Sequence, residues 1–583
     1  MHLLAVTFQR SKPAMLNGNE SEGITSFAGN HSSCKRYSKR KRRETINMMR
    51  PSCVPSFLVI QAVVVLLSCN EFGFTKAFSA RSCAGSIRHV HLAVGNDPST
   101  EMTISFSSER SFHVPVIGGV LIGTNPDKLD TYVEEQEPAR YYNATPAKER
   151  HGHYYSPYLH HITVTGLAPS ATYYYKCTVR KRSEDPPTAL RGNHVDKFSA
   201  ESPKGEALKA QEREVFNEED DDSLGHLSSA EDRGNDPRHR MLRLVYYDSK
   251  MGECPPPNKI RSFETAPKPG TNTPENLKFV YIGDIGQFTH SLENILHLVR
   301  HQRTTANAIM LAGDIAYSGY DNRRWDTYFD FMDDFSMIDE VPMQVCAGNH
   351  DMDKQENGTD IFLAYQNRFR MPEVKPAELG TYDGPPGLLN MDNPPYPMPY
   401  EWGNAYYAFT YGISRHIFLN AYSSMEPDST QYQWLLKEFQ SVDREHTPWL
   451  LVTIHVPIYN TFDVHHRDKQ IIAARQHLEP LFVEYKVNLV IAGHVHAYQR
   501  TKTVANQTLT PTGPMHVIVG AGGRQCKASF LSPEPEPWVA VRDATRYGYG
   551  TLELYNKTHA KWEWIPTGES GACFSLFAGR HAS

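Results

Sequence analysis

The chain has 583 residues, of which 40% are hydrophobic and 22% are charged. At about 150 residues a domain, this length indicates two to four domains, and the hydrophobic content argues against disorder throughout. The 60 basic and 66 acidic residues give a formal net charge of -6. That balance argues against a dedicated nucleic-acid-binding protein, since such proteins carry an excess of Lys and Arg.

The first 80 residues differ in charge from the rest. They hold eleven Lys or Arg and four acidic residues, which leaves -13 for residues 81–583. A basic run at 35–43 precedes an apolar stretch at 57–67, too short to span a bilayer comfortably but suited to the core of a secretory signal. We predict a leader over 1–80 and a secreted, endomembrane or vacuolar protein with no stable membrane span after leader removal. A signal anchor is the alternative.

Other features agree with secretion. The Asn-x-Ser/Thr sequons predict glycosylation at Asn143, Asn357, Asn506 and Asn556. Six cysteines remain outside the leader: Cys83, Cys177, Cys254, Cys346, Cys526 and Cys573. They show no Cys-x-x-Cys spacing, so a zinc-thiolate or redox motif has no support, although some could pair in an oxidising compartment.

Residues 81–268 have the pattern of an all-β domain. Short runs rich in Val, Ile, Thr and Tyr recur between turns, which indicates a β-sandwich. The segment 166–173 resembles the corner of fibronectin type III domains, where a Tyr hydroxyl ties the turn to nearby backbone. Residues 181–241 include five consecutive acids and are predicted to be a solvated, disordered insertion. The predicted strands cover 87–93, 102–106, 114–122, 160–165, 172–179, 242–247 and 262–265.

The pattern changes after a Pro-rich joint at 267–274. Apolar strands now alternate with segments of helical spacing, which predicts an α/β domain over 275–566, followed by a tail at 567–583. Residues 372–403 are predicted to be an irregular insertion. The predicted strands cover 277–282, 308–311, 343–346, 416–420, 449–454, 488–491 and 515–519, and the predicted helices cover 291–300, 431–440 and 470–485.

Five polar clusters each follow the end of an apolar strand, where α/β sheets bind their ligands. Carboxylate, amide, phenol and imidazole donors on separate loops are what two metal ions sharing one carboxylate require. A single Gly-Asp sequence usually forms a turn, and a lone His is usually a surface or core residue. Five such clusters in this order are hard to explain as turns and isolated residues. The clusters are Gly283-Asp284, Gly313-Asp-Ile-Ala-Tyr317, Gly348-Asn-His-Asp351, Thr453-Ile-His455 and Gly493-His-Val-His496.

These clusters resemble those of the metallophosphoesterases, and the Tyr three residues after Asp314 resembles the purple acid phosphatases. With the N-terminal sandwich, the similarity covers roughly 85–565 and is to the two-domain, plant-type form. It implies a fibronectin type III-like sandwich followed by a calcineurin-like metallophosphoesterase domain of two mixed sheets flanked by helices. Further similar stretches are Arg324-Trp-Asp-Thr-Tyr328, Tyr365-Gln-Asn-Arg-Phe-Arg-Met-Pro372, Gly493-His-Val-His-Ala-Tyr-Gln-Arg500, Gly520-Ala-Gly-Gly523 and Tyr547-Gly-Tyr-Gly550.

The resemblance implies an acid phosphatase that hydrolyses small phosphate monoesters by attack of a metal-bound hydroxide. The first ion is Fe(III) and the second is divalent Zn, Mn or Fe; ligand type does not separate these three. His350 is expected to act on the phosphate as a catalytic and substrate-binding residue. The implied ligands are Asp284, Tyr317 and His496 for iron, Asn349, His455 and His494 for the divalent ion, and Asp314 as the bridge.

Three positions depart from the family pattern. Plant-type relatives carry a His pair nine and ten residues after the position of His455, where this chain has Val464 and His465, with His466 next. We expect His465 to protonate the leaving group and His466 to bind substrate; surface histidines are the alternative. Asp351 replaces a frequent Glu and is expected to orient His350. Gln499 replaces another Glu and is expected to remove a charge near the metals.

Two other functions stay open at this stage. A phosphodiesterase or nucleotide pyrophosphatase on the same fold is one, because the insertion at 372–403 could reshape the mouth of the site. A surface-binding protein with a vestigial metal site is the other, and seven intact ligand positions argue against it. Dimerisation of two copies is left open.

Overall fold

The structure, a computed structural model, describes residues 4–9, 87–110, 116–144, 153–182, 259–271, 276–318, 321–353, 362–372, 400–401, 403–526 and 528–569. These belong to one compact unit, Met1–Gln9 with Lys76–Ser583. The leader beyond residue 9, the acidic insertion, the predicted strand at 242–247, Asn357 and most of 372–403 lie outside the described residues.

The strands of the N-terminal part include one short strand from the start of the chain. It pairs antiparallel with the last strand of the protein, at Leu4 opposite Trp564, a pairing that would be lost on removal of the leader predicted over 1–80. In chain order the strands are β1 (Leu4–Gln9), β2 (Arg88–Val94), β3 (Met102–Ser108), β4 (Val116–Gly123), β5 (Thr131–Glu134), β6 (Asn143–Ala144), β7 (Tyr154–Tyr155), β8 (Tyr158–Val164), β9 (Thr172–Lys181) and β10 (Arg261–Glu264).

The predicted sandwich is confirmed. Its two antiparallel sheets have the strand orders β10-β9-β4-β5 and β2-β3-β8, and Leu92, Ile104 and Val120 are buried in its core. The backbone N–H of Ala168 donates to the Tyr173 hydroxyl at 2.8 Å, which is the predicted corner. The sequence did not predict β5, whose four residues are all half-buried and therefore give no alternation of apolar and polar positions.

The C-terminal part contains the α/β elements. A 3-10 turn at Asn349–Asp351 follows β13, and a π-helical turn at Ala474–Leu478 joins α5 to α6. In order the elements are β11 (Leu277–Ile282), α1 (Thr289–His301), β12 (Ala308–Leu311), α2 (Arg323–Asp333), β13 (Met343–Val345), α3 (Leu363–Arg368), β14 (Tyr407–Tyr411), β15 (Ser414–Leu419), α4 (Thr430–Ser441), β16 (Trp449–Ile454), α5 (Lys469–Ala473), α6 (Glu479–Glu484), β17 (Leu489–Ala492), β18 (Tyr498–Thr501), β19 (Val504–Ala505), β20 (Thr508–Leu509), β21 (Met515–Val519), β22 (Val539–Asp543), β23 (Arg546–Leu554) and β24 (His559–Glu569).

Two mixed sheets form this part, as predicted. One has the order β1-β24-β23-β11-β12-β13, and the other has the order β14-β15-β16-β17-β21-β18-β22. The runs β11-β12-β13 and β15-β16-β17-β21 are parallel. Every residue of β12, β16 and β17 is buried, which is why these strands are continuous apolar runs in the sequence. Parallel strands place their carboxyl ends at one edge of each sheet, and the polar clusters follow those ends.

A buried arginine joins the sandwich to the α/β part. The guanidinium of Arg368 donates to Asp326 at 2.6 Å and to the hydroxyls of Tyr154 at 2.6 Å and Tyr142 at 3.0 Å. Arg368 belongs to one of the stretches that carry the family resemblance, and its contacts show a structural role. Removing either Arg368 or Asp326 would leave the opposite charge buried without its ion-pair partner.

Cys177, Cys346 and Cys526 are buried, and Cys177 and Cys346 are free thiols. Within the described ranges, no helix is long and apolar enough to cross a membrane. The predicted sequon residues Asn143, Asn506 and Asn556 are exposed, and Asn506 lies in the turn between β19 and β20.

Buried His416 is expected to make stability depend on pH. Its ring stacks on Phe409 at 5.0 Å, and burial lowers its pKa from 6.5 to about 3. The unfolded chain therefore takes up a proton as pH falls below 6.5 while the folded protein does not, so stability is lost from pH 6.5 toward 3. At pH 5 the loss is about 2 kcal/mol.

The variant His416→Phe should remove that contribution. Ser414 keeps its hydrogen bond to the Tyr411 carbonyl without the imidazole. We expect the difference in melting temperature, variant minus unaltered protein, to increase as the pH is lowered from 7.5 to 5. Differential scanning calorimetry of both proteins measures this difference. Parallel pH profiles for the two proteins would contradict the assignment.

Candidate metal centre

The five predicted clusters converge at the carboxyl ends of parallel strands from both mixed sheets. Asp284 follows β11, Asp314 follows β12 and Asn349 follows β13, while His455 follows β16 and His494 follows β17. The first three strands belong to one sheet and the last two to the other. The predicted residues are therefore brought together by the fold, although up to 212 positions separate them in the chain.

Two glycines allow this close approach. Gly313 has φ +83°, and a Cβ there would lie 2.3 Å from Nδ1 of His455. A Cβ on Gly348 would lie 2.1 Å from Oδ1 of Asp314. No side chain can replace either hydrogen without displacing a predicted ligand.

Four of the predicted ligands have left-handed backbone conformations. The φ angles are 57° at Asp284, 53° at Asp314, 51° at Tyr317 and 68° at His494. A non-glycine residue in this region costs roughly 1–3 kcal/mol, and such residues cluster at functional sites. The surrounding structure thus holds these side chains in positions that an isolated loop would not choose.

The first group of donors surrounds the Tyr317 hydroxyl. This oxygen lies 2.9 Å from Nε2 of His496 and 3.2 Å from Oδ1 of Asp284. Ligand atoms of Asp284, Asp314 and His496 lie within 4.8 Å of one another. The group is thus compact enough for one cation.

The second group surrounds the amide oxygen of Asn349. Oδ1 of Asn349 lies 3.2 Å from Nε2 of His455 and 3.0 Å from Nδ1 of His494. Oδ1 of Asp314 lies 3.4 Å from Nε2 of His455. Asp314 therefore reaches both groups, which is the position predicted for a bridging carboxylate.

The charges of the site favour cations. Asp284 and Asp314 are 0% and 1% exposed. Burial raises the pKa of Asp284 well above its usual range; His455 opposes this and Asp314 adds to it. The pKa of Asp314 is lowered because His455 and His350 outweigh the effect of burial. Burial, aided by Asp284, raises the pKa of Tyr317 well above 10. Bound cations would favour the anionic forms of all three.

The three histidines present unprotonated nitrogens to the site. Nδ1 of His455 donates to the carbonyl of Ala312 at 2.7 Å, which leaves Nε2 with a lone pair. Nε2 of His494 donates to Asp468 at 2.9 Å, which leaves the lone pair on Nδ1. His496 also hydrogen-bonds the backbone of Gln525. Partners of this kind fix the tautomer of metal-ligating histidines, so the donor set fits two metal ions.

His350 and His465 lie beside the ligand groups. The His350 ring stacks on Tyr317 at 4.6 Å, and its backbone N–H donates to Asp314 at 2.8 Å. The exposed His465 ring lies 3.9 Å from the ring of His494. The described contact of His466 is a hydrogen bond to the Asp463 carbonyl in its own turn. The structure thus brings His350 and His465, but not His466, into contact with the other predicted residues.

Asp351 does not hold the His350 ring in its described contacts. Its carboxylate accepts the backbone N–H groups of Ile315 and Gly348, both at 2.9 Å. The expectation that Asp351 orients His350 is replaced by a different role, because these bonds tie the loop of Asp314 to the loop of Asn349.

Gln499 likewise contacts a loop instead of the ligands. Its Oε1 accepts the N–H and hydroxyl of Thr461, and its Nε2 donates to the carbonyl of Tyr459 at 2.9 Å. A carboxylate cannot donate this last bond. The amide therefore fits the beginning of the loop that carries His465, and its effect is on the position of that loop.

Two residues of the site were missed from the sequence. The Tyr422 hydroxyl donates to Oδ1 of Asn349 at 3.3 Å. Asp468 accepts from both His465 and His494 at 2.9 Å. Tyr422 follows the apolar strand β15, so the rule that found the five clusters could have found it. Asp468 lies in a charged, loop-like segment and gave no such signal.

Comparisons with known proteins agree with this geometry. The profile described as calcineurin-like phosphoesterase matches residues 277–498. The profile for the purple acid phosphatase N-terminal domain matches 87–189, and that for iron/zinc purple acid phosphatase-like protein C matches 513–572.

Relatives decide the family. "Purple acid phosphatase 18" of Arabidopsis thaliana is 31% identical over 49% of this chain and 59% of its own length. "Probable purple acid phosphatase 20" of the same plant is 30% identical over 55% of this chain and 67% of its own length. The chain belongs to the purple acid phosphatase family.

A solved purple acid phosphatase structure shares the fold. The enzyme isolated from yellow lupin (Lupinus luteus) seeds superposes with a TM-score of 0.58 at 19% identity, over 83% of this chain and 72% of that chain. Membership of the purple acid phosphatase family implies a binuclear metal centre, and the two donor groups around Asp314 are suited to it. This chain matches about three fifths of the length of the first of these relatives, purple acid phosphatase 18.

Proposed function

We propose that this protein is a binuclear metal-dependent acid phosphatase that hydrolyses phosphate monoesters. The observation that carries this proposal is the pair of donor groups joined by Asp314, with three histidines whose unprotonated nitrogens face the same place. Buried side chains that only stabilise the fold would pair hydrogen-bond donors with acceptors, and they would not direct several lone pairs at the same place. A binding protein with a vestigial site would not preserve all seven donors.

The proposed ligands follow the two groups. Asp284, Tyr317 and His496 hold Fe(III), because a hard anionic phenolate stabilises the ferric state. The amide oxygen and two imidazoles of the second group suit a divalent ion, which is Zn, Mn or Fe. The bridge is Asp314, and the second group is Asn349, His455 and His494.

When bound, the two ions supply Lewis-acid chemistry, which activates a water molecule and offsets the charge of the phosphate. The protein positions the substrate around them. His350 stacks on Tyr317 at the first donor group, where its ring would contact a phosphate bound to the ions. Nδ1 of His465 donates to Asp468, so Nε2 is the nitrogen that can give a proton to the leaving oxygen.

A substrate panel tests this proposal. The protein should hydrolyse p-nitrophenyl phosphate at mildly acidic pH, and removal of metal by a chelator should abolish the reaction. A diester such as bis-p-nitrophenyl phosphate should be a poor substrate. The alternative, a phosphodiesterase or nucleotide pyrophosphatase, predicts the reverse order of kcat/KM and would replace the proposal if observed.

Asp468 is expected to strengthen the divalent site. In Asp468→Ala the Nε2–H of His494 loses its carboxylate partner, and losses of this kind cost roughly 10–100-fold in metal affinity. Metal analysis after dialysis against a chelator should show selective loss of the divalent ion while iron is retained. Asp463→Asn, in the same loop, is the matched control, because the amide oxygen can still accept from Ser529. Equal metal retention in both variants would exclude this role for Asp468.

The location of the protein is also a proposal. We infer a leader over 1–80, a sandwich over 81–268, a catalytic domain over 275–566 and secretion or delivery to an endomembrane compartment or vacuole. The exposure of Asn143 and Asn556 supports their glycosylation. Small phosphorylated compounds are the expected substrates, nucleic acid is not an expected partner, and a homodimer remains a prediction.

A further inference from the structure

A guanidinium, that of Arg524, lies at the iron side of the proposed centre. Cζ of Arg524 is 5.0 Å from the centre of the Phe288 ring and 5.9 Å from that of Tyr317. The backbone N–H of Arg524 donates to the carbonyl of Asp284, which fixes this residue beside a proposed ligand. The side chain is exposed, and no carboxylate pairs with it within the described part of the chain.

A second guanidinium lies close to the first. Arg324 is half-buried at the start of α2, and its Nε is buried with no hydrogen-bond partner among the described residues. Burial lowers the pKa of Arg324; Asp321 opposes this, and the positive charge of Arg524 adds to it. The buried Nε of Arg324 and the like charge of Arg524 both favour an anion bound beside these two guanidinium groups, in addition to the Asp321 carboxylate.

Gln287 connects both arginines to the metal loops. Its Nε2 donates to the carbonyl of Arg324 at 2.8 Å and to that of Ala316 at 3.2 Å. The next residue, Phe288, carries Arg524 over its ring. The backbone of Arg324 and the guanidinium of Arg524 therefore contact two consecutive residues, Gln287 and Phe288, next to Tyr317.

We propose that Arg324 and Arg524 form a second anion subsite, which binds an additional phosphate or carboxylate of a substrate whose scissile phosphate lies on the metals. This inference rests on the proposed phosphatase function and names its substrate class. Substrates of this class are diphosphates and phosphoesters that carry a carboxylate near the ester. The guanidinium of arginine matches both groups, because its parallel N–H donors bind two oxygens at once.

The test compares substrates with and without the second anion. The variants are Arg524→Gln, Arg524→Lys and Arg324→Gln. The matched control is Arg110→Gln, which removes the same charge from a guanidinium 4.3 Å from the Tyr141 ring in the sandwich. For each protein, kcat/KM is measured on pyrophosphate, ADP, phosphoenolpyruvate and p-nitrophenyl phosphate at one pH and ionic strength. Calorimetry gives Kd for methylenediphosphonate and for methylphosphonate.

In Arg524→Gln and Arg324→Gln we expect the ratio of kcat/KM on pyrophosphate to that on p-nitrophenyl phosphate to fall about 10- to 100-fold, as for loss of charged hydrogen bonds. Binding of methylenediphosphonate should weaken relative to methylphosphonate by a similar factor. Arg524→Lys should lie between these variants and the unaltered protein, and Arg110→Gln should keep both ratios. A decrease in kcat/KM confined to phosphoenolpyruvate supports the subsite and identifies a carboxylate as the additional anion. A decrease confined to pyrophosphate and ADP supports the subsite and identifies a phosphate.

Two results would overturn the subsite. Unchanged ratios in Arg524→Gln and Arg324→Gln exclude it, and an equal loss on all substrates would show that the arginines act through Tyr317 or through folding. If the unaltered protein does not hydrolyse p-nitrophenyl phosphate, the proposed function fails. The diphosphonate binding comparison still tests the subsite in that case.

Discussion

Asp314→Asn is expected to lower kcat/KM on p-nitrophenyl phosphate by about 10³-fold or more. The Asp314 carboxylate is the only proposed ligand whose oxygens reach both donor groups, at 3.4 Å from His455 and within 4.8 Å of the Asp284 and His496 atoms. Asparagine keeps the shape of the side chain and tolerates the left-handed backbone at φ 53°. The expected loss therefore follows from the removal of one negative charge between two cations.

The melting temperature of the metal-free protein distinguishes this cause from misfolding. Asp314 is buried, and its pKa is lowered because His455 and His350 favour its charged form, so the carboxylate contributes to the stability of the folded protein. We expect metal-free Asp314→Asn to melt at a somewhat lower temperature than the unaltered protein but still in one cooperative transition, which shows that the variant is folded. Asp127→Asn, at an exposed position in the sandwich, serves as the control for charge. Full turnover in Asp314→Asn would show that the site has been misplaced.

Tyr317→Phe is expected to abolish the visible absorption band of the iron-loaded protein. A phenolate bound to Fe(III) gives a charge-transfer colour, and phenylalanine has no oxygen to bind. The ring itself should stay in place, because its contacts with His350 at 4.6 Å and Phe288 at 5.5 Å do not need the hydroxyl. The visible spectrum and the iron content of the same sample provide the measurement.

Tyr422→Phe is the matched control for this experiment. The Tyr422 hydroxyl lies at the second donor group, 3.3 Å from Asn349, and is not a proposed iron ligand. Its loss should leave the visible band unchanged. A band that survives Tyr317→Phe with full iron content, or one that disappears in Tyr422→Phe, contradicts the assignment of iron to the Asp284 group.

The position of the site was readable from the sequence because of how parallel sheets are built. Strands such as β16 and β17 are buried throughout, so they are unbroken apolar runs, and the polar residues that follow them are conspicuous. Their order then allowed the family to be suggested. The same reasoning predicted the sandwich from its short β-rich segments and the corner at Tyr173 from a turn pattern.

What the sequence did not show depends on tertiary contacts. Asp468 is a charged residue in a loop, and only the fold brings it between His465 and His494. Arg324 belongs to a stretch that carries the resemblance, but its proximity to Arg524, 200 positions later, cannot be inferred from spacing. The left-handed conformations of Asp284 and Tyr317 are imposed by packing. The contacts of Asp351 and Gln499 with backbone and loop groups were not predicted, because family position does not specify which neighbour a side chain contacts.

We expect one chain to hold two metal ions through the donor groups joined by Asp314. Inductively coupled plasma mass spectrometry of the purified, active protein measures the number of metal ions per chain. Two metal ions per chain should be found, at least one of them iron, and the rate of p-nitrophenyl phosphate hydrolysis should be proportional to the metal content. Full hydrolysis by protein that holds less than one metal ion per chain would contradict this expectation.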